Sequence, residues 1–339
     1  IGGCSSAARP DGDDGLLQTS SWQGACAGAP PSYLEDLSNP DGTRARNYAG
    51  DLSSVLGCMV RLGTTGCSFE QPLESMKRAL SPGRNPGFLR PDALLAVLIL
   101  TTEDDCSALP GGAMFGDPNA TLTSPLGPRT SFRCFEFGVQ CENDPDPRSF
   151  GTKAGCVPRV GSPHMPTVQP YIDAVRGLKA DPRSVVVGVI AGDVDFDRTA
   201  VIGSDSDVSD RPRLQPSCSG IPGDAVPGLR LQSFLEGFPD RSFGSSICNE
   251  DQGDALAQFG RLVRHVQGNA CIGQPLADVD AAQPGLQPRC EVTEYTVTAG
   301  VRSDPVAISA CGGGASPCWE LVVDPIECSD VPDALKLGI

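Results

Sequence analysis

Phe88-Leu-Arg-Pro-Asp-Ala-Leu-Leu-Ala-Val-Leu-Ile-Leu-Thr-Thr-Glu-Asp-Asp-Cys106 is the stretch on which the reading of the fold turns. Between Leu94 and Leu100 there is no polar side chain, with Pro91 ahead of the run and Glu103, Asp104 and Asp105 behind it. A short apolar run bounded in this way predicts a strand buried on both faces, at the centre of a parallel sheet. It is too short to cross a bilayer. Ligands of open parallel sheets bind beyond the carboxyl ends of the strands, so the segment Thr101 to Cys106 is where function is expected.

Working outward, Val185-Val-Val-Gly-Val-Ile190 is a second buried strand, and it too runs into acidic residues, Asp193, Asp195 and Asp197. Helices are predicted at Leu52–Leu62, with Asp51 as cap, and at Gln71–Leu80, with Pro72 near its first position. Further helical patterns cover Tyr171–Leu178, Leu229–Phe238 and Asp254–Val266, the last with Leu256, Phe259, Val263 and Val266 on one stripe. Helices alternating with buried strands predict an α/β fold, a doubly wound and mostly parallel Rossmann-like sheet. Residues 107–166 show almost no periodicity and read as a long cross-linked loop.

Fifteen cysteines are spread along the 339 residues, without any CxxC pair and with only His164 and His265 as histidines. Zinc-type ligand sets are therefore not supported, and disulfides in an oxidising compartment are the expectation, one cysteine being left over. Proximity suggests Cys4 with Cys26, Cys58 with Cys67 and Cys311 with Cys318. The net charge of −16 excludes nucleic acid and anionic membranes as natural partners and favours cations. Asp11, Asp13 and Asp14, set among glycines, could wrap a calcium ion; a solvated turn is the plainer reading. From Cys271 on the pattern changes to short alternating strands with five cysteines, which predicts a main domain over 1–268 and a small cysteine-rich β module over 269–339.

Four segments together carry a family resemblance: Gly63-Thr-Thr-Gly-Cys-Ser-Phe-Glu-Gln-Pro-Leu73, Leu94 to Cys106, Val185 to Ala191, and Ser245-Ser-Ile-Cys248. In this order they resemble the von Willebrand factor type A domain, in the cysteine-rich form of exported bacterial lipoproteins, over roughly residues 1 to 268. The resemblance implies a doubly wound sheet with Mg²⁺ or Ca²⁺ at its carboxyl edge, completed by an acidic side chain of a partner protein. Thr65, or its neighbours Thr64 and Ser68, would fill the second-loop role, with Glu103, Asp104 and Asp105 near the third. The sequence departs from the family where Thr102 stands in place of an aspartate. It also lacks any Asp-x-Ser-x-Ser loop; Asp51-Leu-Ser-Ser-Val55 fails at its fifth position.

These features lead to the expectation of a non-enzymatic exported module for binding or adhesion, periplasmic, extracellular or at the cell surface. A structural subunit of a surface assembly is the alternative, and a metal-assisted hydrolase a third reading. Against the hydrolase, the chain has no GxSxG, no HExxH and no phosphate-binding glycine loop. The family's central first strand would precede Ile1, so a protein partner or an upstream fragment is expected to complete the sheet. No membrane-spanning run occurs in the chain.

Overall fold

The structure, a computed structural model, describes residues 13–338 apart from 40–41, 64–68, 92, 143, 193–196, 207, 209, 221–222, 268–270, 273–274, 281, 284, 295–296, 299–300, 303, 313–315, 326–327 and 329–330. Three strands, β1 (Leu95–Leu100), β2 (Val185–Ala191) and β3 (Ser242–Ser246), form a parallel sheet in the order β1-β2-β3. Leu95 faces Val185 in register, and Ser242 faces Val187. Every residue of β2 is buried, so it is this run that occupies the centre.

The expected central strand is therefore corrected: β1 lies at an edge, paired only with β2 among the described residues. Its alternation shows the consequence. Leu95 and Ile99 are buried, whereas Leu100 is 54% exposed. Six helices accompany the sheet: α1 (Leu52–Met59), α2 (Pro72–Ala79), α3 (Phe132–Gly138), α4 (Gln169–Arg176), α5 (Leu229–Glu236) and α6 (Gly253–Val266). From α2, α4 and α5, Leu73, Tyr171, Val175, Leu231 and Phe234 pack on Leu95, Ile99, Val187 and Val189. Each such apolar side chain contributes roughly 1.5–3 kcal/mol by leaving water. On the opposite face Gly188 makes room for α6, because a Cβ there would come within 2.8 Å of both Leu98 and Phe259.

Asp51 caps α1 as its position suggests, accepting from the Ser54 amide, but the helix buries only Val55 and leaves Leu52 and Leu56 exposed. Likewise, Phe259 of α6 is buried while Leu256 is not.

The doubly wound, mostly parallel fold is overturned by the remaining pairings. Besides β1-β2-β3, the described residues form one three-stranded and seven two-stranded sheets, all antiparallel. The resemblance to the von Willebrand type A domain falls with it, since that family needs one continuous sheet. The physical reason is that long stretches between the parallel strands are spent on cross-linked loops and hairpins rather than on further crossovers. In residues 107–166 the described chain forms α3 and three short strands, two of them paired with each other, tied by Cys106–Cys134 and Cys141–Cys156.

Arg133 of α3 organises part of that loop. Its buried guanidinium donates to the carbonyls of Met114, Gly116, Gly127 and Pro128, the last two at 2.6 and 3.0 Å. The other bridges join Cys26 to Cys58, Cys218 to Cys248, Cys271 to Cys328 and Cys311 to Cys318, and Cys290 is free. Because Cys26 bonds Cys58, the proximity pairings Cys4–Cys26 and Cys58–Cys67 do not form; Cys4 and Cys67 themselves lie outside the described residues.

The chain divides into two compact units, Ile1–Lys179 with Val185–Phe259, and Ala180–Ser184 with Gly260–Ile339. The division falls inside α6, against an expected boundary at 268. The second unit holds three antiparallel pairs, including Glu320–Val323 with Leu335–Gly338. No helix among the described residues is long and apolar enough to cross a membrane.

Candidate functional site

At the carboxyl end of β1 the Thr101 hydroxyl accepts from the Glu103 amide and donates to its carbonyl, at 3.1 and 3.0 Å, closing a tight turn. The turn aims two adjacent carboxylates at two helices. Asp104 accepts from the amides of Arg230 and Leu231 at 3.0–3.2 Å and so caps α5. Asp105 accepts from the Leu73 amide at 3.1 Å and from the Ser107 hydroxyl at 2.6 Å, while Ser107 takes the Glu74 amide, so the pair caps α2. Free amides at a helix start are the natural partners of a carboxylate.

Arg230 completes the arrangement. It is fully buried, as is Asp105, and its Nε and one terminal nitrogen donate to Asp105 Oδ2 at 3.2 and 3.1 Å. Its remaining donors reach the Gly138 and Pro166 carbonyls at 3.2 and 3.0 Å. A buried pair of this kind is tolerable because each of the three guanidinium nitrogens has an acceptor. Burial first, and then the charge of Asp105, push the neighbouring Tyr171 hydroxyl up.

Glu103 differs from its two neighbours. With Glu70, Asp104, Phe135 and Arg213 it lines a recess of about 60 Å³. Burial, and then the charge of Glu70, raise its carboxyl from 4.5 to about 7. Burial also raises Asp104, to about 6, against the pull of the Arg230 amide.

Of the residues singled out for a cation, Glu103, Asp104 and Asp105 are thus brought together, two of them already engaged as caps. Thr65 and Asp11 lie outside the described residues. Asp13 lies beside Asp14, whose carboxylate pairs with Arg78 at 2.5 Å and with Arg84. The hydrogen bond from Arg78 holds the Asp14 carboxyl below its usual range. No group of three or more His, Cys, Asp or Glu side chains among the described residues is arranged to hold a metal ion.

The other feature of β1 is its free side. The Thr101 amide donates to the Ile190 carbonyl, so by strand alternation Val97 and Ile99 also turn their main-chain groups to β2. Ala96, Leu98 and Leu100 turn theirs away from it. An open groove of about 850 Å³ reaches β1 at Leu98; among the described residues it is also lined by Gln71, Ser75, Met76 and Ala79 at α2, and by Asp13–Gln18, Val60, Leu62 and Phe69. Its apolar lining is well exposed: Leu62 at 75% and Val60 at 64%.

Comparison with protein-family models, with curated proteins and with solved structures finds no match for this chain. The assignment to the von Willebrand type A family is therefore withdrawn on sequence as well as on fold. Of the residues that build the site, Arg230 escaped sequence reading. The signal was present, since an arginine inside the apolar run Leu229, Leu231, Phe234, Leu235 must either snorkel or find a buried carboxylate.

Proposed function

We propose that this protein is a non-enzymatic binding module that takes up an extended segment of a partner protein along the free side of β1. The observation that carries the reading is the row of main-chain groups at Ala96, Leu98 and Leu100 that turn away from β2, together with a groove of about 850 Å³ that reaches β1 at Leu98. Main-chain groups beside apolar walls are satisfied by an added strand, which is how extended peptides join exposed sheet edges. The carboxyl end of β1 is a poorer contact face, because Asp104 and Asp105 already accept helix amides. Their engagement also speaks against acid/base work by this pair, which needs carboxylates free to meet a substrate. The six bridges support an exported protein acting in an oxidising compartment.

Amide hydrogen exchange on the full chain tests this. The amides of Val97, Ile99 and Thr101 should be protected while those of Ala96, Leu98 and Leu100 exchange rapidly. Equal protection at all six positions would mean that the side of β1 is already occupied, and the proposal would fall.

A further inference from the structure

We infer that the peptide bond between Asp117 and Pro118, in the loop from β1 to α3, is a self-processing site, at which the Asp117 side chain cleaves its own main chain in mildly acidic conditions while the two products stay joined. This is a property of the loop and is separate from peptide docking along β1.

Three Asp-Pro bonds of the chain sit in turns of the same make. Asp117, Asp146 and Asp181 each accept, with a side-chain oxygen, the amide two positions on, at 3.0, 2.9 and 2.9 Å. Their main-chain carbonyls accept the amides of Ala120, Ser149 and Ser184, at 3.3, 3.1 and 2.9 Å. The first contact folds the carboxyl over the peptide that follows it, because the ring it closes contains the aspartate carbonyl carbon and the proline nitrogen. The second supplies an N–H to the oxygen on which charge develops when that carbon is attacked. Nucleophile, carbonyl and donor are therefore together in all three turns.

Of the three, Asp117 stands in the left-handed region, with φ 48°. An L-residue there brings its Cβ against the following carbonyl oxygen, and a residue before proline is pushed by the ring towards extended backbone. Asp117 violates both preferences at once. Its surroundings hold it so: Arg133 donates to the Gly116 carbonyl at 3.3 Å on one side and to the Gly127 and Pro128 carbonyls on the other. Breaking the bond to Pro118 releases that conformation, so the strain favours the cut. At Asp181 the carboxylate is also taken by the Arg183 guanidinium, at 2.8–3.1 Å. Asp117 and Pro118 are exposed, which admits water.

The reaction consumes water alone. A carboxyl oxygen of Asp117 attacks the residue's own carbonyl carbon, the carbon–nitrogen bond to Pro118 breaks, and the carboxyl proton passes to the proline nitrogen, which leaves as a secondary amine. Water then opens the cyclic anhydride to a carboxy-terminal aspartate. Cys106 lies before the bond and Cys134 after it, so the nicked protein remains one species until it is reduced.

The test incubates the full chain with protease inhibitors at pH about 4, near the titration of ordinary aspartates, with folding followed by circular dichroism. Reduced and denatured samples should show two chains, the second beginning Pro118-Asn119-Ala120 on amino-terminal sequencing. Unreduced samples should run as one. Cleavage after Asp117 should outpace cleavage after Asp146 and Asp181 by at least about tenfold, a barrier difference of about 1.4 kcal/mol. In the reduced chain unfolded in urea the three rates should converge to within about threefold. Asp117→Glu, which keeps the charge but lengthens the reach, should slow the cut at this bond by at least about tenfold.

Equal rates at the three bonds in the folded protein would overturn the inference. So would a cut that persists unslowed in Asp117→Glu, which would assign it to a contaminating enzyme. A folded chain that stays intact after Asp117 while the unfolded chain is cut would show that the loop shields the bond, and would overturn it equally.

Discussion

The end of β1 and its side are built on opposite principles. At the end, two adjacent acidic residues, Asp104 and Asp105, meet helix amides and a buried guanidinium, while Glu103 beside them lines a recess. Along the side, the main-chain groups of Ala96, Leu98 and Leu100 turn away from β2, and an open groove reaches the strand at Leu98. The lesson is that an acidic cluster after an apolar strand need not be where the molecule meets the outside. Here the carboxylates of Asp104 and Asp105 are consumed in holding α5 and α2 to the sheet, and the unspent capacity for contact lies in main-chain groups along the strand's side.

The comparison breaks first at Arg230. Replacing it by Met leaves Asp105 buried without its counterion, and stability should fall by about 3–5 kcal/mol in urea denaturation. A loss below about 1 kcal/mol would mean that Asp105 is neutral or hydrated and that the end of the strand is not the tie described.

Next in size is the effect of pH. The Glu103 carboxyl titrates near 7 in the folded protein and near 4.5 unfolded, because burial disfavours its charge. The folded state therefore binds this proton more tightly. The contribution is fully present below pH 4.5 and is lost as pH rises towards 7, by about 1–3 kcal/mol. Asp104 adds to the same trend between 3.8 and about 6. Melting temperature measured from pH 5 to 8 should decline, and Glu103→Gln should flatten that decline. An unchanged slope in the variant would assign the effect elsewhere.

Asp104→Ala removes the cap of α5 and should lower stability by about 1 kcal/mol, with loss of amide protection concentrated at Arg230 and Leu231. Smallest of all, Leu100→Lys on the open side should change stability by no more than about 0.5 kcal/mol. It should nevertheless weaken binding of an extended peptide to β1, since Leu100 stands at the end of the strand's open side. A large destabilisation by Leu100→Lys would show that the side of β1 is covered and would erase the contrast.

Much of the core was legible in the sequence. The runs Leu95–Leu100 and Val185–Ala191 are strands, Pro72 opens α2, and Asp51 caps α1. Which run is central was not legible, because an unbroken apolar stretch specifies burial on two faces but carries no information about pairing on two sides. The structure settles it through the pairing, since Val185–Ala191 has a strand on each side and Leu95–Leu100 on one among the described residues. The partners of Asp104 and Asp105 were hidden by distance: the bond from Arg230 Nε to Asp105 spans 125 residues. Cysteine spacing misled in a similar way, since Cys26 reaches across 32 residues to Cys58 rather than to a nearer neighbour. Helix α3, Phe-Arg-Cys-Phe-Glu-Phe-Gly, is only seven residues long with phenylalanines at 132, 135 and 137, which masks its helical period.

That masked helix carries the side chain that stands in for a missing pattern. The path of residues 114–128 is written less in their own composition than in Arg133, which gathers four carbonyls from two separated points of the loop. Four acceptors converging on one planar fork make a stored instruction that a lysine could not copy, because its ammonium has three donors and no fixed plane. A library that randomises the loop while keeping Arg133 should return many folded sequences. One that keeps the loop and randomises Arg133 should return few.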